Sequence, residues 1–206
     1  MEKGRFIVLE GIDGAGKTTQ IELLAKKLRD EGRTVEITAE PTASVSGGLL
    51  RDALGGIVDR TPSEMAALFV LDRIFHNVNK NGIIAMLDKG IDVICDRYYY
   101  SSMAYQGSLT DFEWVKSMNI NCPDIVKPDL CIFLDLSPKE SLARIGKGRA
   151  KTEIYETEDT LNAVRQKFFD VFKSLEGRDN IAVIDATGDS IEELAKKIST
   201  VVDERL

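Results

Sequence analysis

The stretch Phe6–Thr19, FIVLEGIDGAGKTT, runs from an apolar strand through a glycine turn into a helix. Four of its first five residues, through Glu10, are apolar, and Ile7 and Val8 are β-branched, which reads as a buried strand. Gly11, Gly16, Lys17 and Thr18 then satisfy G-x-x-x-x-G-K-[ST], and an amphipathic helix follows. Glycines let the backbone wrap close to a polyphosphate with several N–H groups pointing inward. The helix N-terminus adds partial positive charge, Lys17 a full one, and the Thr18 hydroxyl a ligand for Mg²⁺. An ordinary glycine turn would not require the strand before and the helix after, so the stretch implies nucleotide-phosphate binding by the Gly11–Thr19 backbone.

Around that motif the chain is ordinary in composition. Its 206 residues suit one domain, residues 1–206, with a sizeable core. Hydrophobic residues make up 43% and charged residues 30%, as in a soluble globular protein. A net charge of −7 argues against a nucleic-acid polymer as partner. The longest apolar runs, such as Ala66–Leu71, are too short to span a bilayer, so no membrane partner is expected. The N-terminus, MEKGR and then directly a strand, has no signal-peptide pattern. Cys95, Cys122 and Cys131 are odd in number and lack C-x-x-C spacing, which reads as buried thiols in a reducing cytoplasm. One His and no clustered Cys argue against a structural zinc site.

Further strands are expected at Thr34–Thr38, Ile91–Cys95, Leu130–Leu134 and Ile181–Ile184. Helices are expected over 17–30, around Leu49–Leu54, from a capping box at Thr61-Pro62-Ser63-Glu64 to about Val78, then up to Asp88. Others should cover Ser101–Gln106, Phe112–Met118, Pro138–Arg144, about Glu158 to Leu175, and the end of the chain after Ser190-x-x-Glu193. Five strands separated by helices define an α/β fold: a five-stranded parallel sheet with helices on both faces. Ligands bind such sheets beyond the carboxyl ends of the strands, which gathers Gly11–Thr18, Glu40-Pro41, Asp96-Arg97 and Asp185–Asp189 around one cleft.

The cleft offers carboxylates, cations, hydroxyls and aromatics; the lone His76 lies inside a predicted helix and is a poor candidate for a base. Phosphoryl transfer needs no strong base, only a held donor, an in-line acceptor and neutralised charge. Asp96 can reach the Mg²⁺ hydration shell, and Arg97 can clamp a phosphate. Ile12-Asp13-Gly14-Ala15 contain no cation, so the neutralising charge must come from elsewhere. Lys147, Arg149 and Lys151, in the glycine-bearing loop IGKGRAK, read either as a solvated turn or as a lid that excludes water and adds charge. Phe69 and Arg73, four apart, share a helix face and can be core or can stack a base and bond its edge. Of Tyr98, Tyr99, Tyr100 and Tyr105, not all four fit in a core.

With these residues in view, the sequence resembles the thymidylate kinase family of the P-loop nucleoside-monophosphate kinases. The likeness rests on EGIDGAGKTTQ at 10–20, EPT at 40–42, FVLDR at 69–73, DRYYYSSMAYQG at 96–107 and PDLCIFLDL at 128–136, and extends through a lid at about 145–156. The resemblance implies a P-loop NTPase fold, ATP-Mg as donor and dTMP as acceptor, giving dTDP and ADP. Lys17 with Gly11, Ile12, Asp13, Gly14, Ala15, Gly16, Thr18 and Thr19 would hold the ATP phosphates. Thr18 would bind Mg²⁺; Asp13 would lie near the dTMP phosphate and sugar, and Glu40 near the catalytic magnesium or sugar. Phe69 would stack on thymine, Arg73 bond its O4, and Ser102 face the base edge. Arg97 would grip the dTMP phosphate, and Tyr105 would crowd a 2′-hydroxyl. Arg144 and Arg149 would be lid arginines, and the loop after Ile184 would border adenine. Gly14 resembles the pattern in which the lid supplies the catalytic cation, while Ala39 departs from an Arg common before Glu-Pro. The family also suggests a homodimer, for which the apolar Met65–Phe75 region could supply a face. Two other readings are a kinase of thymidine itself, against which Arg97 speaks, and a nucleotide-dependent switch or ATPase.

Overall fold

The computed structural model describes residues 3–145 and 157–206. The expected lid, with Lys147, Arg149 and Lys151, lies past Ile145 outside the described residues. The elements run β1 Phe6–Gly11, α1 Lys17–Asp30, β2 Val35–Ala39, α2 Val45–Leu54, α3 Pro62–Val78, α4 Ile83–Leu87, β3 Asp92–Asp96 and α5 Tyr99–Tyr105. After α5 come α6 Phe112–Ile120, β4 Leu130–Asp135, α7 Pro138–Ile145, α8 Glu158–Ser174, β5 Ile181–Asp185 and α9 Ile191–Arg205. All strand pairs are parallel, in the order β2-β3-β1-β4-β5, so β1 is central.

Strand alternation sorts the core into two layers. Phe6, Val8, Val93, Cys95, Cys131 and Phe133 face α3–α6 and α8. Ile7, Leu9, Ile94, Ile132 and Leu134 face α1 and α9. Each such side chain removed from water contributes about 1.5–3 kcal/mol, which is what holds helices on both sides. Three of the four clustered tyrosines belong to the first layer: Tyr98, Tyr99 and Tyr100 are buried. Their hydroxyls remain satisfied, Tyr98 on the Val126 carbonyl (3.0 Å) and Tyr99 and Tyr100 on Asp179 (2.5 and 2.8 Å).

Element ends follow local chemistry where the partner is local. Thr61 and Glu64 form the expected capping box, and α3 reaches Val78. Helix α2 starts at Val45, ahead of the expected Leu49, because the Ser44 hydroxyl accepts the Gly47 N–H and caps it there. Helix α5 starts at Tyr99 rather than Ser101, because its cap comes from another strand: Glu10 accepts the N–H groups of Tyr98 (2.9 Å) and Ser101 (3.1 Å). At the opposite edge of the sheet, Asp92 is fully buried between Arg5 and Arg33 and ties β3 to the chain before β1 and β2.

Candidate active site

The carboxyl ends of β1, β2 and β3 meet at one edge, where Leu9 and Ala39 both pair with Asp96. After β1 the chain turns through Gly11, at φ 155°, where a Cβ would stand 3.0 Å from the Leu134 carbonyl oxygen. Gly16, at φ 92°, precedes α1 and provides no side-chain cap, so the first-turn N–H groups are left for a ligand. Lys17 reaches back to the carbonyls of Gly11 (3.1 Å) and Ile12 (3.4 Å). Burial lowers its pKa to about 8, with the nearby Arg97 charge acting in the same direction.

Arg97 is the one non-glycine residue with positive φ among the described residues, at 65°. Strain of this kind persists where the surroundings hold the backbone in place. Its N–H bonds the Leu9 carbonyl (3.0 Å), its guanidinium pairs with Asp13 and donates to Ser101 (3.2 Å), and it lies 5.7 Å from the Tyr105 ring centre. Next to it, the Asp96 Oδ1 is buried and has no hydrogen-bond partner.

Two cavities open here. The larger, about 610 Å³, is lined by the 13–19 turn, Asp96, Arg97 and Arg144. The smaller, about 250 Å³, is lined by Phe69, Arg73, Ser102, Tyr105, Pro41 and Leu54 among others. Asp13, Glu40 and Arg97 line both and form the neck between them. The sequence-expected residues Lys17, Thr18, Thr19, Asp13, Gly14 and Gly16 thus fall in the first cavity, and Phe69, Arg73, Ser102 and Tyr105 in the second. Arg144 lines the first while pairing with Glu140 (3.5 Å) on α7. Arg149 lies outside the described residues.

Beneath the second cavity lies a buried polar network that spacing alone did not reveal. Arg73 donates through Nε (2.8 Å) and Nη2 (2.6 Å) to Glu40 Oε2, and also to Ser102 (3.1 Å) and Asn119. His76 bonds the other Glu40 oxygen through Nδ1 (3.1 Å) and Thr38 through Nε2 (2.7 Å). Glu40 only accepts, so Nδ1 carries the proton, and both ring nitrogens are engaged. The lone histidine therefore holds Glu40. Asp72 accepts from the Thr42 N–H (2.7 Å) and the hydroxyls of Thr42, Ser44 and Ser46, anchoring the 42–46 segment to α3. Burial pushes the Asp72 carboxyl up, and these bonds more than offset it, leaving the pKa below the usual value. Glu10, whose role was not read from the sequence, was visible only as one acid ending an apolar strand.

Among the described residues no three His, Cys, Asp or Glu cluster to hold a metal unaided. The donor set does fit a cation brought in with phosphates: a hydroxyl, Thr18, at the head of α1 and an orphaned acidic oxygen on Asp96, both lining the same cavity.

The model of the thymidylate kinase family matches residues 9–198. A probable thymidylate kinase of Pyrococcus horikoshii is 39% identical over 210 residues, covering 99% of this chain and 98% of that protein. A thymidylate kinase of Bifidobacterium longum subsp. infantis is 36% identical over 198 residues, covering 93% and 82%. The solved structure of thymidylate kinase from Candida albicans superposes with a TM-score of 0.82 at 23% identity, covering 98% of this chain and 92% of that one, and shows the same fold. The chain belongs to the thymidylate kinase family, whose function is the phosphorylation of dTMP.

Proposed function

We propose that the chain is a single kinase domain that transfers the γ-phosphoryl group of ATP-Mg to dTMP, giving dTDP and ADP. The observation that carries this reading is the pair of cavities joined at Asp13, Glu40 and Arg97, one floored by the glycine turn and one by an aromatic and an arginine. Two nucleotides entering from the two sides would meet phosphate to phosphate at that neck.

In this reading the first-turn N–H groups and Lys17 hold the ATP phosphates, and the bound polyanion holds on the Lys17 ammonium the proton that burial loosens by lowering its pKa to about 8. Arg97 grips the dTMP phosphate, with Asp13 and Tyr105 fixing its direction. The attacking phosphate oxygen is already ionised, so no general base is required. Phe69 stacks thymine, Arg73 bonds its edge, and Ser102 and Tyr105 close the base and sugar sides. Glu40, tethered to Arg73 and His76, stands at the neck as a fixed negative charge. Thr18 and Asp96 would hold Mg²⁺, directly or through water. When bound, Mg²⁺ neutralises charge on the donor phosphates and orients them for in-line transfer. Arg144 and Arg149 supply the further positive charge that the 12–15 positions lack.

The reading includes a cytoplasmic homodimer. Leu71, Phe75 and Val78 form an exposed apolar stripe along α3, beyond the expected Met65–Phe75 limits by one turn, and sedimentation tests whether it is covered. The decisive experiment measures ADP formation with ATP-Mg against each nucleoside monophosphate and thymidine. Turnover dependent on dTMP is expected. Preference for a purine monophosphate or for thymidine, or hydrolysis independent of any acceptor, would overturn the reading.

A further inference from the structure

We propose that Glu10 is a positioning residue for the transfer reaction: from the end of β1 it clamps the strained backbone that aims Arg97 at the acceptor phosphate. The inference rests on the reading of Arg97 as the phosphate ligand.

Glu10 alternates with Phe6 and Val8, so its side chain enters the layer that contains α5, and it is fully buried there. Its two oxygens accept three hydrogen bonds: the Tyr98 N–H (2.9 Å), the Ser101 N–H (3.1 Å) and the Ser101 hydroxyl (2.7 Å). The Ser101 hydroxyl oxygen in turn accepts from Arg97 (3.2 Å). Arg97, at φ 65°, is thereby held from three directions. Its own N–H is on β1, the next N–H is on Glu10, and its guanidinium reaches Glu10 through Ser101. Remove the carboxylate and the backbone of residues 97–98 loses the partner that opposes relaxation.

Burial pushes the Glu10 carboxyl above its ordinary range, against the pull of Arg97, Ser101, Tyr98 and Lys17. A carboxyl whose pKa is raised on folding costs stability at neutral pH, so a neutral isostere at this position should not lower the melting temperature.

Glu10→Gln keeps the shape but leaves one neutral oxygen for the Tyr98 and Ser101 N–H groups and no acceptor for the Ser101 hydroxyl, so the hold on the backbone of residues 97–98 weakens. Steady-state assays with dTMP and ATP varied separately should show the dTMP KM raised about tenfold, with the ATP KM changed by less than about twofold. The melting temperature should be equal to or above that of the unsubstituted chain. Ser101→Ala, which cuts the bridge without touching the strand, should raise the same KM by a smaller factor and serves if E10Q does not fold. In an Arg97→Ala background both effects should vanish. An unchanged dTMP KM in E10Q and S101A while R97A is impaired overturns the role of Glu10 alone, as does an equal shift in both KM values or an effect that persists without Arg97. A normal dTMP KM in R97A overturns the role of Arg97 and with it that of Glu10.

Discussion

Replacing Phe69 by alanine separates the two readings of that side chain. Phe69 is half-buried, lines the smaller cavity, and is not among the described residues that make up or pack against either core layer. A Phe in a closed core would cost about 3–5 kcal/mol on truncation. Beside an open cavity of about 250 Å³ the neighbours already lack atoms on one side, so the stability loss should stay near ~1 kcal/mol. Stacking on one base is worth about 1–3 kcal/mol, which corresponds to a rise in the dTMP KM of about 5- to 150-fold. The ATP KM should not move, because the larger cavity does not include Phe69. A coupled assay for ADP at varied dTMP, run beside urea denaturation, reads both quantities. A core-sized loss of stability with an unchanged dTMP KM would refute the placement of thymine on this ring.

Arg149→Ala should lower kcat on the order of a hundredfold with little change in ATP affinity; equal losses in both would mean that Arg149 only binds ATP. Lys17 in the unliganded protein loses its proton near pH 8, so the ATP KM should rise with pH above that point in steady-state titrations. The stability effect has the opposite sign: between about 8 and the ordinary lysine value of 10.5 the unfolded chain holds a proton that the folded chain lacks, so folding gains as pH rises through that window. Burial pushes the Asp92 carboxyl up, but the bonds from Arg33 and Arg5 leave its pKa below 3.8. Its stabilising contribution is therefore present above 3.8 and lost as pH falls through the depressed value. Asp92→Asn should cost about 3–5 kcal/mol at neutral pH by urea denaturation, without altering either KM.

Much of the site was legible because its chemistry is local. The glycine turn needs only consecutive residues to wrap a polyphosphate, so Gly11–Thr19 could be placed from spacing. Thr61 with Glu64 and Ser190 with Glu193 cap their own helices, so those starts were readable to the residue. Asp96-Arg97 could be put at a strand end, and Phe69 with Arg73 on one helix face.

What the chain could not display in one dimension is whatever depends on a partner far along it. The order β2-β3-β1-β4-β5 places Asp96 beside Leu9 and Ala39, and no periodicity encodes that adjacency. The start of α5 is set by Glu10, 88 residues before the Tyr98 N–H that it accepts. Glu40 stands apart from Arg73 and His76 in the sequence, but a buried guanidinium must find its carboxylate in space, and only the packing of α3 against the 40–46 segment brings them within hydrogen-bonding distance. Local sequence decided the elements and the phosphate turn, since those interactions close within a few residues. The tertiary structure alone decided which charges share a cavity, because a polar group taken out of water is satisfied by whatever the fold places beside it.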